Sequence, residues 1–207
     1  MTETRVERKE RTRRAILDAA LSLSAESTLV ALSLRQVAKE VGVVPTAFYR
    51  HFDSIEELGL ALVEESLDTL RGLLRELRRT AGTDFRTIID GSVDVLVDQV
   101  RRNHDHYGFI ARERFAGPTP VRQAIADGIG LAERELAVDL AHLPGTDTWS
   151  PGDLQVLSSL IVGAMVSTAE QLVAASPGSA DEQRIAVTAR TQLRMLVIGA
   201  LHWRSEP

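Results

Sequence analysis

Four neighbouring side chains, Thr46, Ala47, Tyr49 and Arg50, can share one side of a short helix whose other side carries Phe48 and Phe52. At 100° per residue, turning the two phenylalanines inward turns these four outward. A hydroxyl, a methyl, a phenol and a guanidinium side by side suit base edges, thymine methyls and phosphates. Nothing comparable points to catalysis. The chain has no cysteine, which excludes disulfides, thiolate metal sites and cysteine nucleophiles. His104 and His106 flank Asp105, but residues two apart do not share a helix face, so a boundary or surface role is expected rather than a metal site. There is no Glu-x-x-His pair of the di-iron type and no glycine-rich phosphate loop. No catalytic residue, metal or cofactor is therefore expected, and the chain does not read as an enzyme.

Two short helices must position the outward set. Ser33 with Gln36 forms a capping box that opens a helix at 33–41, with Leu34, Val37, Ala38 and Val41 turned inward. Gly42 suits the left-handed turn that ends it, and Ala38 is small where two helices must cross closely. Pro45 starts the next helix, expected over 45–52, where its missing N–H costs nothing. Phe48 returns to the core six residues after the glycine. This is the spacing of a helix-turn-helix, although on pattern alone a surface helical hairpin with an incidental aromatic also fits.

The remaining chain reads as all-α. Apolar residues recur with a period near 3.6, and only seven prolines interrupt 207 residues. A first helix is expected at 7–25, with Ile16, Ala19, Ala20 and Leu23 along one stripe. Ser54 with Glu57 opens a long fourth helix, which Gly82 should end. Five more are expected at 84–103, 107–114, 119–143, 151–174 and 180–204. The domains expected are 1–55, which holds the helix-turn-helix, and 56–207, the helical body.

The net charge of −5 argues against nucleic acid until its distribution is read. Residues 1–52 hold nine basic groups against six acidic ones, which leaves −8 for residues 53–207. Such asymmetry suits a phosphate-facing head on an acidic, solvated body. Residues 1–14 are charged and lead into no apolar stretch, unlike a secretory signal, and the apolar run at 160–166 looks too short to span a bilayer. A cytoplasmic protein without membrane contact is expected.

Residues 11–65 resemble the DNA-binding head of the TetR family. The resemblance rests on Thr12-Arg-Arg-Ala-Ile-Leu-Asp-Ala-Ala20, on Leu34 to Gly42, and on Phe48-Tyr49-Arg50-His51-Phe52 followed by Glu56-Glu57-Leu58. It implies a nine-helix fold and a homodimeric repressor of double-stranded operator DNA that answers to a small-molecule effector. A narrower similarity is to the FabR-like repressors of unsaturated fatty-acid synthesis. It rests on Leu32-Ser-Leu-Arg35, Pro45-Thr46-x-Phe-Tyr-Arg-His-Phe52, Glu57-Leu-Gly-Leu60, Glu64-Glu65-Ser66, Arg112-Glu113-Arg114 and Gln192-Leu-Arg-Met195. That similarity implies a long-chain acyl-CoA or related lipid as effector. A repressor of a drug or aromatic-compound operon is the alternative, with a helical-bundle enzyme or a protein adaptor more remote.

Carried over position by position, the resemblance implies that Tyr49 and His51 contact phosphates or bases, with Thr46, Ala47 and Arg50 in or beside the major groove. Ser33 and the first amides of its helix would clamp a phosphate, and Arg35 would add a further contact. Arg8, Lys9, Arg11 and Arg13 either reach the DNA or form a solvated basic face. Val44 departs from the serine common at its position in the family, which puts the cap of the reading helix in question.

In the body, Leu154, Leu157, Ile161 and Met165 recur on one helix, and Leu193, Leu196, Val197, Ala200 and Leu201 on the last, with Gly163 and Ala164 permitting close approach. Such faces form either a monomer core or an intermolecular four-helix bundle. Periodicity leaves both open, and the resemblance implies the dimer. It also implies an effector cavity within 88–129, where Val95, Leu96, Phe109, Ile110, Ile125 and Ile129 either line an apolar tunnel or pack as plain core. The triplet Arg112-Glu113-Arg114 reads as a buried ion-pair brace or an anion anchor, with the brace favoured.

Overall fold

Short polar side chains start most of the helices. In the computed structural model, which describes residues 4–25, 27–81, 84–143, 146 and 149–205, Thr4 caps helix α1 (Arg5–Ser24) in a reciprocal box with Glu7. Ser33 and Gln36 form the expected box at the start of α2 (Leu34–Val41). Asp84 accepts from the amides of Arg86 and Thr87 at α5 (Phe85–Arg102). Ser150 and Ser179 cap α8 (Pro151–Ala174) and α9 (Ala180–Leu201). Each oxygen satisfies an amide with no partner inside its own helix. At α4 (Ile55–Ala81) the box is shifted by one residue: Ser54 accepts from the Glu57 amide, while the Glu57 carboxylate takes the amide of Asp53. With α3 (Pro45–Phe48), α6 (His104–Ala116) and α7 (Thr119–Leu140), the described residues hold nine α-helices and one 3-10 turn, Leu29–Ala31. Gly82, expected to end α4, lies outside them.

The contacts divide the chain into two units, Met1–Ser66 with Gly108–Ile125, and Leu67–Tyr107 with Ala126–Pro207. The expected boundary at residue 55 therefore shifts. The start of α4 and most of α6 belong with the head, because their apolar positions complete a core that 55 residues cannot build alone. In that unit Ile16, Ala20, Leu29, Val37, Phe48 and Phe52 are buried together with Leu58, Leu62, Phe109, Val121 and Ile125.

The second unit is built on α5, α8 and α9. Ile89 and Val93 of α5 pack with Ala186, Ala189 and Leu193 of α9, and Ile161, Met165, Leu196 and Val197 close around them. A second cluster joins Leu96, Val100 and Tyr107 to Leu172, and a third joins Leu140 to Leu154 and Leu157. The Arg101 guanidinium lies against the nearly buried Glu182 carboxylate, 2.8 Å from Nε to Oε2, and holds its carboxyl below the usual range. His104 donates its Nε2–H to the Val173 carbonyl at 2.9 Å, so the ring serves a backbone contact at a helix start.

Helix α8 corrects one expectation. The apolar run at 160–166 sits inside a 24-residue helix that is long and apolar enough to cross a membrane, by length and composition only. The reason is that uncharged residues such as Ser158, Ser159, Ser167 and Thr168 extend the run on both sides without breaking the helix. Only 22% of its most apolar 18-residue window is buried within the chain.

Candidate nucleic-acid interface

Gly42 makes the turn of the head at φ +73°, a conformation nearly free for glycine and costly for residues with a Cβ. Its N–H and that of Val43 close onto the Ala38 carbonyl, the latter at 2.9 Å, which ends α2 in a left-handed cap. The chain then enters α3 at Pro45 with no side-chain cap, since Val44 has no oxygen to offer and stands exposed.

Helix α3 is shorter than expected. Regular α-helix covers Pro45–Phe48 only, and the chain continues as a tighter turn, with the Arg50 and His51 amides bonded three residues back to Ala47 and Phe48. This tightening lets the chain reverse into α4 while keeping Phe52 over Phe48, with ring centroids 5.9 Å apart and both side chains buried. Thr46, Tyr49 and Arg50 are exposed, Tyr49 at 53%, and Ala47 is half-buried. His51 is half-buried, with Nδ1 shielded and without a hydrogen-bond partner. Burial lowers its pKa first, and the cations Lys9, Arg13 and Arg50 add to this against Glu10, so the ring is neutral at pH 7.

Ser33 and Arg35 are exposed at the start of α2. The Ser33 hydroxyl is engaged on both sides, accepting from the Gln36 amide and donating to its side-chain oxygen at 2.8 Å. Arg8 and Lys9 are exposed on α1. Arg13, offered above as a possible DNA contact, lies over the Phe52 ring at 4.4 Å, and Arg14 pairs with Asp18 and Glu65. Those two guanidiniums support the head's packing.

The residues suggested for the other two sites fall differently. Of the six proposed to line an effector cavity, Phe109, Ile110 and Ile125 belong to the first unit and Val95, Leu96 and Ile129 to the second. Leu96 is core, packed with Val100, Tyr107 and Leu172, and Phe109 and Ile125 are fully buried. Two pockets, of about 330 and 350 Å³, open on the second unit, and none of the six lines them.

The residues suggested for dimerisation mostly face their own chain. Leu157 and Leu193 are buried, and Ile161, Met165, Leu196, Val197 and Ala200 pack against the clusters of the second unit. The exposed stripe is a different one, with Val156, Leu160, Gly163 and Ser167 on α8 and Val187, Thr191, Met195 and Ile198 on α9. The i, i+4, i+7, i+11 spacing of the α8 set was present in the sequence. Gly163 and Ser167, small and polar, make this stripe less apolar than the one that packs.

In the Arg112-Glu113-Arg114 triplet, Arg112 attracts the Glu113 carboxylate, and the fold adds a partner that the brace did not include. Glu113 is fully buried and accepts the Leu29 amide at 2.9 Å, and Arg114 lies over the exposed ring of Phe115. A carboxylate serves a backbone donor as readily as a guanidinium, a choice that sequence spacing does not reveal.

Residues 16–62 match the family model described as bacterial regulatory proteins of the tetR family. Over 99% of its length the chain resembles the fatty acid degradation regulator FadR from Bacillus halodurans, with 17% identity, a TM-score of 0.73 and all of that chain covered. It also resembles a transcriptional regulator FadR from Bacillus subtilis, solved in complex with stearoyl-CoA. There the identity is 18% and the TM-score 0.71, over 90% of this chain and 98% of that one. A TetR-like transcriptional regulator from Rhodococcus sp. RHA1 aligns with 16% identity and a TM-score of 0.68, over 91% and 96% of the two chains. Residues 16–62 are thus similar to the DNA-binding domain of tetR-family regulators, and the chain shares its fold with these solved transcriptional regulators.

Proposed function

We propose that the protein is a cytoplasmic, homodimeric repressor whose α3 reads operator DNA and whose body binds an apolar effector. The observation that carries the DNA reading is the exposed row of Thr46, Tyr49 and Arg50 behind the buried pair Phe48 and Phe52. Ser33, Arg35 and His51 flank that row as phosphate or base contacts, with the first-turn amides of α2 available to a phosphate.

Tyr49→Phe and Arg50→Ala are expected to weaken operator binding by roughly 1–3 kcal/mol each without lowering thermal stability. The measurement is a mobility shift on the DNA upstream of the protein's own gene. Unchanged affinity in both variants removes α3 as the reader.

The dimer is supported by the large apolar side chains exposed in a row on α8 and α9, Val156, Leu160, Val187, Met195 and Ile198, since apolar residues exposed side by side commonly mark a protein interface. Two copies joined through it would set two reading helices at a fixed separation, matching half-sites on successive turns of DNA. An effector would act through whatever difference in affinity it has for the DNA-competent and DNA-incompetent arrangements.

For the effector we infer a long-chain acyl-CoA. This is supported by the FabR-like motifs of the sequence and by a shared fold with a regulator solved with stearoyl-CoA. At about 0.8 kcal/mol per buried CH₂, each inserted carbon should change affinity roughly fourfold until the cavity ends. Titrating the operator complex with acyl-CoAs of increasing length is therefore expected to give a steep rise and then a plateau. A flat series, with release by a small aromatic or drug-like compound instead, would replace the lipid reading and leave the DNA reading standing.

A further inference from the structure

One buried carboxyl in the head has no part in the proposed DNA-facing row. Glu113 of α6 is fully buried, its Oε1 accepting the Leu29 amide at 2.9 Å and its Oε2 without a hydrogen-bond partner. Leu29 opens the 3-10 turn that leads, four residues on, to Ser33 and the start of α2. The Leu29 side chain is fully buried and seated against Gly59 of α4. A methyl at Gly59 would collide with Leu29 Cδ2 and lie 2.9 Å from Val121 Cγ2 of α7. The turn is thus held twice, by its backbone through Glu113 and by its side chain in the notch at Gly59.

We propose that Glu113 is a positioning residue for DNA reading: by accepting the Leu29 amide it sets where α2 begins, and with α2 the placement of α3. This rests on the reading that the head binds operator DNA. Three facts favour positioning over plain stability. A buried carboxylate is a poor stabiliser, since an apolar side chain of similar volume commonly does as well or better. Burial pushes the Glu113 carboxyl up, against the pull of the Leu29 amide and Arg112, so the charge is held there at a cost. And a carboxylate oxygen placed on one particular amide fixes direction and distance together, which apolar packing does not. Gly117 keeps the room for it, because a Cβ there would lie 2.6 Å from Oε2.

The test separates acceptor from charge. Glu113→Gln keeps an oxygen for the Leu29 amide and removes the charge. Glu113→Asp keeps the charge and withdraws the oxygen by one methylene. The probe is a duplex selected from a random-sequence library by the wild-type protein, compared with an unrelated duplex of equal length. The Gln variant is expected to bind the selected duplex within about threefold of wild type, and the Asp variant at least about tenfold more weakly. Affinity for the unrelated duplex should stay within about twofold in both, because non-specific binding depends on phosphate charge alone. Hydrogen exchange at the Leu29 amide should be slow in wild type and Gln and fast in Asp.

Asp binding like wild type, Gln falling with Asp, or equal losses on both duplexes would overturn the proposal. Should circular dichroism show the Asp variant unfolded, the Leu29 amide of the Gln variant decides: protection supports the proposal and fast exchange overturns it. A wild-type protein that selects no duplex removes the operator reading itself, an outcome distinct from all of these.

Discussion

Glutamate in place of Leu160 or Met195 is expected to turn the protein into a monomer that no longer holds its operator. Leu160 is 51% exposed and Met195 67% exposed, on stripes that continue through Val156 and Gly163 on α8 and through Val187 and Ile198 on α9. Two antiparallel helices with one apolar side each are half of a four-helix bundle, and a second copy supplies the other half. A carboxylate placed in that seam loses its hydration without gaining a partner, which costs several kcal/mol per chain. The dimer dissociation constant should rise at least about 100-fold, equivalent to about 3 kcal/mol. Sedimentation velocity at micromolar concentration reads the oligomer, and a mobility shift on the same samples reads the operator complex. A Leu160→Glu protein that sediments as a dimer would move the interface off this face.

Phe48→Ala should have the largest effect on the head itself. Phe48 is fully buried, packs 5.9 Å from the ring of Phe52, and touches the ring of Tyr49 edge-on at 6.1 Å. The Arg13 guanidinium lies over the Phe52 ring, a contact that depends on Phe52 staying in place. Removing a buried benzyl group leaves a cavity that a four-residue helix followed by a tight turn cannot close, and the expected cost is about 3–5 kcal/mol. Urea denaturation should show the loss, with hydrogen exchange accelerated through α2 and α3. Tyr49, one residue along but exposed, supplies the contrast: its phenylalanine variant should keep the wild-type midpoint while binding DNA less well. A Phe48→Ala head with the wild-type midpoint would mean that this pair does not anchor α3.

What was legible from the residues alone was local. Ser33 with Gln36, Gly42 and Pro45 act on their own backbone within a few residues, so their caps and turns appear in the structure as read. Phe48 and Phe52 announce an inward side by spacing, which also exposes Thr46, Tyr49 and Arg50. Helix α3 is shorter than its residues suggest because the reversal into α4 is a demand of the tertiary chain path, and nothing in Tyr49-Arg50-His51 itself disfavours helix.

What only the tertiary structure decided was which partner each side chain meets. Helices α8 and α9 each carry two apolar stripes, and periodicity ranks them by hydrophobicity alone. Packing against α5 buries Leu193, partly covers Ile161, Met165 and Val197, and leaves the more mixed stripe of Leu160, Gly163, Met195 and Ile198 in water. Glu113 shows the same limit for charge. Its sequence neighbours suggest an ion pair, and Arg112 does attract it, but the fold adds the Leu29 amide from 84 residues away. Short-range chemistry is written in order along the chain. A contact between helices depends on how several faces pack at once, and that is settled only when the core closes.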